Sequence, residues 1–312
     1  MQQTDQTDAA TFEQLTAARS RILSELGKAI VGQHEVIEQI LIALFAGGHC
    51  LITGAPGLAK TLLVKSIAQI FHLEFRRIQF TPDLMPTDIT GVEILKEGAN
   101  GRELVFVPGP VFGNMLLADE INRTPPKTQA ALLEAMQEHQ VTAGGRRYAL
   151  PEPFFVLATQ NPIEMEGTYP LPEADEVAVV QRTTAAAGEP IQPLFTGEDV
   201  LRFHALVRKV PIAEDLVRFA VRIAASTRPR QPGTPDFVND WVGWGAGTRA
   251  AQFLSLGAKA RALLNGRSHV TKEDIVALAG PVLRHRVLVN YRAEAEGVSV
   301  GKVVERVLET VK

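Results

Sequence analysis

Gly54-Ala55-Pro56-Gly57-Leu58-Ala59-Lys60-Thr61 is the stretch that decides the fold. An apolar run, Cys50-Leu51-Ile52, stands before it, and apolar residues at helical spacing run from Lys60 to about Phe71 behind it. Strand, glycine loop, helix is the order of a phosphate-binding unit. Backbone N–H groups at a helix N-terminus, with the helix dipole behind them, attract anions. In such a loop Lys60 reaches the β- and γ-phosphates of ATP and Thr61 offers its hydroxyl to Mg²⁺. Ala59 stands where the second glycine of the pattern usually falls. It is tolerated if its φ stays negative and its methyl points away from the phosphates.

Further along, Met115-Leu116-Leu117-Ala118 is a fully apolar run that ends in Asp119-Glu120. Such a run predicts a strand buried on both faces of a parallel sheet, and open α/β sheets hold ligands beyond the C-terminal ends of their strands. Asp119 is the candidate to hold the metal through water, and Glu120 the candidate to polarise an attacking water. A third apolar strand, Phe154 to Ala158, runs into Thr159-Gln160-Asn161. The amide of Asn161 is a candidate partner for that water or the γ-phosphate. Gly247-Thr248-Arg249 opens a later helix, and Arg249 is a candidate charge-assisted donor to the same phosphate.

Around these motifs the pattern is α/β first and helical afterwards. Two helices are predicted between Phe12 and Ala46, broken at Val31-Gly32-Gln33, and a strand over Glu74 to Phe80. Thr81 to Asn114, rich in proline and glycine, reads as an irregular insertion with a hairpin near Gly98–Gly101. Pro125 and Pro126 open a helix through about Glu138, and Gly144-Gly145 marks a second hairpin. Beyond about Thr196 helical periodicity takes over, in Val200–Val207, Leu216–Ala225, Ala250–Leu264 and Ile275–Leu283, with a capping box at Thr271 to Asp274. The expected organisation is a polar, disordered lead-in at 1–10, an α/β nucleotide-binding core at 11–195, and a helical domain at 196–312.

The 312 residues carry a net charge of −3, 46% hydrophobic types and 21% charged types. That balance disfavours a nucleic-acid coat. One cysteine, Cys50, excludes an internal disulfide framework and points to a reducing compartment. No apolar run reaches the roughly 18–20 residues that cross a bilayer, and the acidic start predicts no secretory signal. A cytoplasmic protein without membrane insertion is expected. The seven histidines show no metal-ligand spacing.

With these elements in order the chain resembles an AAA+ ATPase, and more closely the MoxR family. The likeness is carried by GAPGLAKT, RRIQFTPDLMPTDITG, FVPGPVFGNMLLADEINRTPPKTQAALLEAMQE, PFFVLATQNPIEMEGTYPLPEA, GAGTRA and PVLRHRVLVNYRAEAEG. It implies an AAA+ core with a helix-2 insertion, a small helical lid, and assembly into rings, usually hexamers. Ala59 is usual in this family. By the same likeness Lys60 and Thr61 belong to Walker A, Asp119 and Glu120 to Walker B, Asn161 to sensor 1 and Arg249 to sensor 2. Val31-Gly32-Gln33 lines the adenine pocket, with ATP between core and lid. The family implies a chaperone-like motor that matures client proteins, including metal-cofactor insertion, often beside a von Willebrand A-domain partner. Rival readings are a magnesium-chelatase-like or nucleic-acid motor on the same fold, and an ATP-gated scaffold that scarcely hydrolyses.

One departure from the family stands out. There, PLPEA runs on into a segment resembling Gln-Leu-Asp-Arg-Phe, whose arginine is a candidate trans-acting finger, and then into another strand. Here Leu171-Pro172-Glu173-Ala174 passes directly to Asp175-Glu176-Val177, leaving out roughly 20 residues by the length of a helix and a strand. Loss of a central strand is expected to unravel the sheet, which points to a segment missing near 174–175. Arg123 is the substitute finger candidate. Arg146-Arg147 in the second hairpin is a candidate contact to a substrate polypeptide or nucleic acid in a ring pore, and Phe237, Trp241 and Trp244 are expected to pack the lid.

Overall fold

The structure, a computed structural model, describes residues 2–53, 60–98, 101–160, 173–184 and 189–311. The chain opens with helices α1 (Gln2–Leu26) and α2 (His34–Phe45). The predicted disordered lead-in is therefore the beginning of α1. Leu15, Ala18, Ile22 and Leu26 bury one stripe of that helix completely, and once that face is fixed the helix propagates back through residues with no breaker.

The α/β part follows as β1 (Cys50–Thr53), α3 (Lys60–Ile70), β2 (Phe75–Gln79), α4 (Pro86–Thr90), β3 (Gly91–Gly98), β4 (Gly101–Pro108), β5 (Met115–Asp119), α5 (Pro126–Glu138), β6 (Gln140–Ala143), β7 (Arg146–Ala149), β8 (Phe155–Gln160) and α6 (Glu173–Thr184). Among the described residues the main sheet has four parallel strands in the order β1-β8-β5-β2. Met115–Ala118 and Phe155–Leu157 are 0–2% exposed; these are the two inner strands, and their unbroken apolar runs are what burial on both faces requires. Asn114 pins the strands' starts: its Oδ1 accepts from the Glu74 N–H at 3.3 Å and its Nδ2 donates to the Pro153 carbonyl at 3.1 Å. The 174–175 junction lies inside α6, and the sheet stands without a further strand among the described residues.

The insertion is more regular than its composition predicts. β3 and β4 pair over eight residues each, from Gly91↔Pro108 to Gly98↔Gly101. Gly91 (φ +100°) is required at the root, because a Cβ there would stand 2.3 Å from the Val107 carbonyl oxygen. The Phe106 ring of β4 stacks on Tyr148 of β7 with centroids 4.0 Å apart.

The remaining elements are α7 (Gly197–Lys209), α8 (Glu214–Ser226), α9 (Asp236–Trp241), β9 (Val242–Trp244), α10 (Thr248–Leu264), α11 (Lys272–Leu283), β10 (Leu288–Val289), α12 (Tyr291–Ala295) and α13 (Val300–Thr310). The chain divides into two compact units: Arg19–Ile40 with Gly47–Arg202, and Met1–Ala18 with Leu41–Ala46 and Phe203–Lys312. The boundary thus falls within α7, and the ends of α1 and α2 join the helical unit. There Phe45 packs edge-on against Phe203 at 5.2 Å, and the His204 ring bonds the Leu44 carbonyl at 2.6 Å. Asp274, fully buried, accepts from Arg261 at 2.7 Å and from Arg267 at 2.6 Å, and closes the expected capping box at Thr271. Phe237 and Trp241 pack beneath Arg306 as expected, at 4.5 and 5.1 Å, but Trp244 is 71% exposed on the short β9–β10 ribbon.

His49, just before β1, reports on the α/β core. Its Nδ1 accepts the Val156 N–H at 3.1 Å, so Nε2 carries the proton and donates to the Met136 carbonyl at 3.3 Å. Burial pushes its pKa down to about 4. An unfolded histidine titrates near 6.5, so between pH 6.5 and 4 the unfolded chain binds the extra proton and stability falls with pH. His49 should account for about 3 kcal/mol of that loss. Denaturant titrations at pH 7 and pH 4.5 should show a clearly shallower acid decline in His49→Gln than in the unaltered chain, and equal declines would remove His49 as the cause.

Candidate functional site

The candidate residues of the α/β unit gather at the C-terminal ends of β1, β5 and β8. Gly54, Ala55, Pro56, Gly57, Leu58 and Ala59 lie outside the described residues, as does Asn161. What flanks the loop is as expected: β1 before it and α3 beginning at Lys60 behind it. Lys60 is half-buried, and burial lowers its pKa against the pull of the Asp119 and Glu120 carboxylates. Thr61, also half-buried, stands in the first turn of α3.

Asp119 and Glu120 sit where the buried run of β5 surfaces. The Thr159 hydroxyl, 1% exposed, joins them. It donates to Asp119 Oδ1 at 2.5 Å and accepts the Glu120 backbone N–H at 2.9 Å, so its hydrogen and one lone pair are both engaged. Glu120 adopts φ 58°, ψ 46°, the left-handed region that a non-glycine residue enters at a cost. That bend ends β5 and turns the Glu120 side chain toward β2.

On β2 the pleat puts Arg77 and Gln79 on one face, in register with Leu117 and Asp119. Arg77 Nη2 donates to Asp119 Oδ2 and to Gln79 Oε1, each at 2.7 Å. Gln79 Nε2 donates to Glu120 Oε2 at 2.9 Å, and Arg123 Nε stands 3.2 Å from the same oxygen. Burial pulls the Asp119 carboxyl upward, but the Thr159 hydroxyl and the Arg77 guanidinium outweigh it and hold the group below the usual carboxylate range. The site therefore presents an ionised Asp119, a fixed Glu120 and a cation at Lys60.

Three of these residues escaped the sequence reading. Arg77 and Gln79 had one available signal, polar residues two apart on a strand predicted to lie in the sheet. Thr159 stood beside the chosen Asn161. Arg123, considered as a finger, is half-exposed and paired within its own chain to Glu120.

Val31-Gly32-Gln33 forms a half-buried turn against α6. Gly32 (φ +65°) faces Asp175 so closely that a Cβ would meet its Oδ2 at 2.6 Å. Arg249 belongs to the helical unit, exposed in the first turn of α10. No carboxylate among the described residues pairs with it, and its charge, after burial, lowers the pKa of Arg286. Arg146 and Arg147 are exposed near the tip of the β6–β7 hairpin.

Comparison with known proteins agrees with this fold. Residues 49–179 match the model of the ATPase family associated with various cellular activities (AAA), and residues 238–307 match an AAA lid domain. Chaperone MoxR1 of Mycobacterium tuberculosis is 42% identical over 309 residues, covering 93% of this chain and 81% of that one. An uncharacterised Bacillus subtilis protein, YeaC, is 37% identical over 96% of both chains. That alignment spans 318 residues against the 312 present here, so the relative holds residues this chain lacks. A crystal structure from Cytophaga hutchinsonii, described as a candidate ATPase, superposes with a TM-score of 0.87 at 40% identity, over 98% of each chain.

Thr159 offers a direct check of how the two acids are held. Thr159→Val strands a carboxylate oxygen and a backbone N–H, which should cost about 1–3 kcal/mol, whereas Thr159→Ser should stay near the unaltered value. Denaturant unfolding of both variants at pH 7 measures this. Equal stability of the valine variant would mean that the hydroxyl holds neither group.

Proposed function

The chain belongs to the MoxR family of AAA+ ATPases, and from that premise we propose that it hydrolyses ATP at Lys60, Asp119 and Glu120 and passes the resulting motion to client proteins as a chaperone-like motor. The observation that carries the reading is the convergence of an α3-terminal lysine with two acids, one of them bent into the left-handed region by a buried threonine.

The roles follow from charge and position. Lys60, at the positive end of α3, binds the β- and γ-phosphate oxygens. Glu120, its backbone fixed by Thr159, accepts a proton from the attacking water and aligns it with the γ-phosphorus. Asn161 and Arg249 are assigned by likeness to the γ-phosphate, and Val31, Gly32 and Gln33 to the adenine. The donor set fits Mg²⁺ held with a nucleotide: an ionised carboxylate at Asp119, held below its usual pKa, and a hydroxyl at Thr61. When bound, Mg²⁺ neutralises charge on the β- and γ-oxygens.

Ring assembly, with six copies as the family's usual number, is part of the proposal, as are a von Willebrand A-domain partner, metal-cofactor insertion among the client tasks, and a cytoplasmic setting. No described helix is long and apolar enough to cross a membrane. One observation favours the rival of an ATP-gated scaffold with slow turnover. Glu120 is bonded by Gln79 and Arg123 in the isolated chain, so its carboxylate must be released before it can serve a water.

The steady-state ATPase rate per subunit, measured over a wide protein concentration range, separates the two. A rate that climbs with concentration and falls by on the order of 10²-fold in Glu120→Gln supports the motor, and a rate near zero throughout with ATP still bound supports the scaffold. Lys60→Ala should lose ATP affinity, read by binding of a fluorescent nucleotide. Affinity equal to the unaltered chain would remove Lys60 from the phosphate site.

A further inference from the structure

Arg77 has no role in the reading above, yet it makes the shortest charged contact to the proposed metal-holding acid. β2 is an edge strand of the sheet, and its pleat sends alternate side chains to opposite faces. Arg76 turns away and bonds Glu74. Arg77 turns inward to Asp119, with one nitrogen shared between Asp119 Oδ2 and Gln79 Oε1. Asp119 has two carboxylate oxygens, and Thr159 occupies the other from a fully buried position. Oδ2 is therefore the oxygen left to receive the water of an incoming cation, and a guanidinium already sits on it.

We propose that Arg77 is a built-in counter-cation for Asp119, which holds Oδ2 while the site is free of metal and competes for that oxygen with the water through which Asp119 would hold Mg²⁺. The inference rests on the Mg²⁺–ATP reading of the site and assigns Arg77 as a positioning residue acting through Asp119. Three cations, Lys60, Arg77 and Arg123, surround two carboxylates in the described chain. Of the three, Arg77 is the one whose contact is made to the proposed metal ligand. Its side chain is 47% exposed against 19% for Asp119, so the guanidinium can swing into water without unmaking the core.

The test compares binding of a fluorescent, non-hydrolysable ATP analogue to the full chain with Mg²⁺ and with a chelator. The quantity read is the ratio of the two affinities. Removing the competing cation should raise that ratio in Arg77→Ala by about 5-fold, the worth of an ion pair at this exposure. Arg77→Gln, which keeps a donor for Gln79 but no charge, should follow the alanine variant, and Arg77→Lys should stay near the unaltered chain. A ratio that is unchanged or lower in Arg77→Ala would overturn the proposal, because Arg77 would then be neutral toward the metal or help to hold it. A lysine variant as altered as alanine would also overturn it, showing that shape and not charge is what Arg77 supplies. Absence of any Mg²⁺ dependence in the unaltered chain would instead bring down the reading of the site as a Mg²⁺–ATP site, and the Arg77 proposal with it.

Discussion

The hydroxyl of Thr159 is the contact on which the site depends. It is one oxygen, buried between two strands, that serves a carboxylate on one side and a backbone N–H on the other. Both groups belong to successive residues, Asp119 and Glu120, whose side chains both reach β2 because the backbone at Glu120 enters the left-handed region. An ordinary extended strand would alternate the two acids across the sheet, and they could not share one ligand. The threonine stabilises the bend that prevents this.

That contact exists because the sheet fixes where β5 and β8 end. Both strands are apolar on both faces, so neither can expose a polar group until it leaves the sheet. The register Ala118↔Ala158 then brings the first polar residues of each, Asp119 and Thr159, to the same level. β2 contributes at the same height through Gln79↔Asp119. The site is thus a consequence of strand register, with hydrophobic burial setting the position of each polar residue to within a single step along the chain.

This explains which parts were legible in the sequence. The apolar runs of β5 and β8, the helix behind Lys60 and the proline-led α5 announce themselves locally, through burial and φ restriction. Lys60, Thr61, Asp119 and Glu120 follow, because they stand at the ends of those runs. Arg77 and Gln79 do not, because their meaning lies in pairing with residues about forty positions away, and a polar residue on an edge strand otherwise reads as solvated. The beginning of α1 was illegible for a related reason: its composition is that of a disordered segment, and only burial of Leu15 to Leu26 on a tertiary surface makes a helix of it. The β9–β10 ribbon is two or three residues per strand, below the length at which periodicity carries information.

The charges of the site bear on how an ATPase rests between turnovers. The described chain sets cations against both carboxylates: Arg77 on Asp119, Arg123 on Glu120, and Lys60 within reach of both. Each of the first two is half-exposed and therefore inexpensive to move. Lys60 is different, because it is partly desolvated and anchored in α3. The Thr159 hydroxyl and Arg77 hold Asp119 below the usual carboxylate range, and Lys60 is fixed by its place at the start of α3. A site built this way holds its carboxylates against side chains that can move, while the cation at Lys60 stays with its helix.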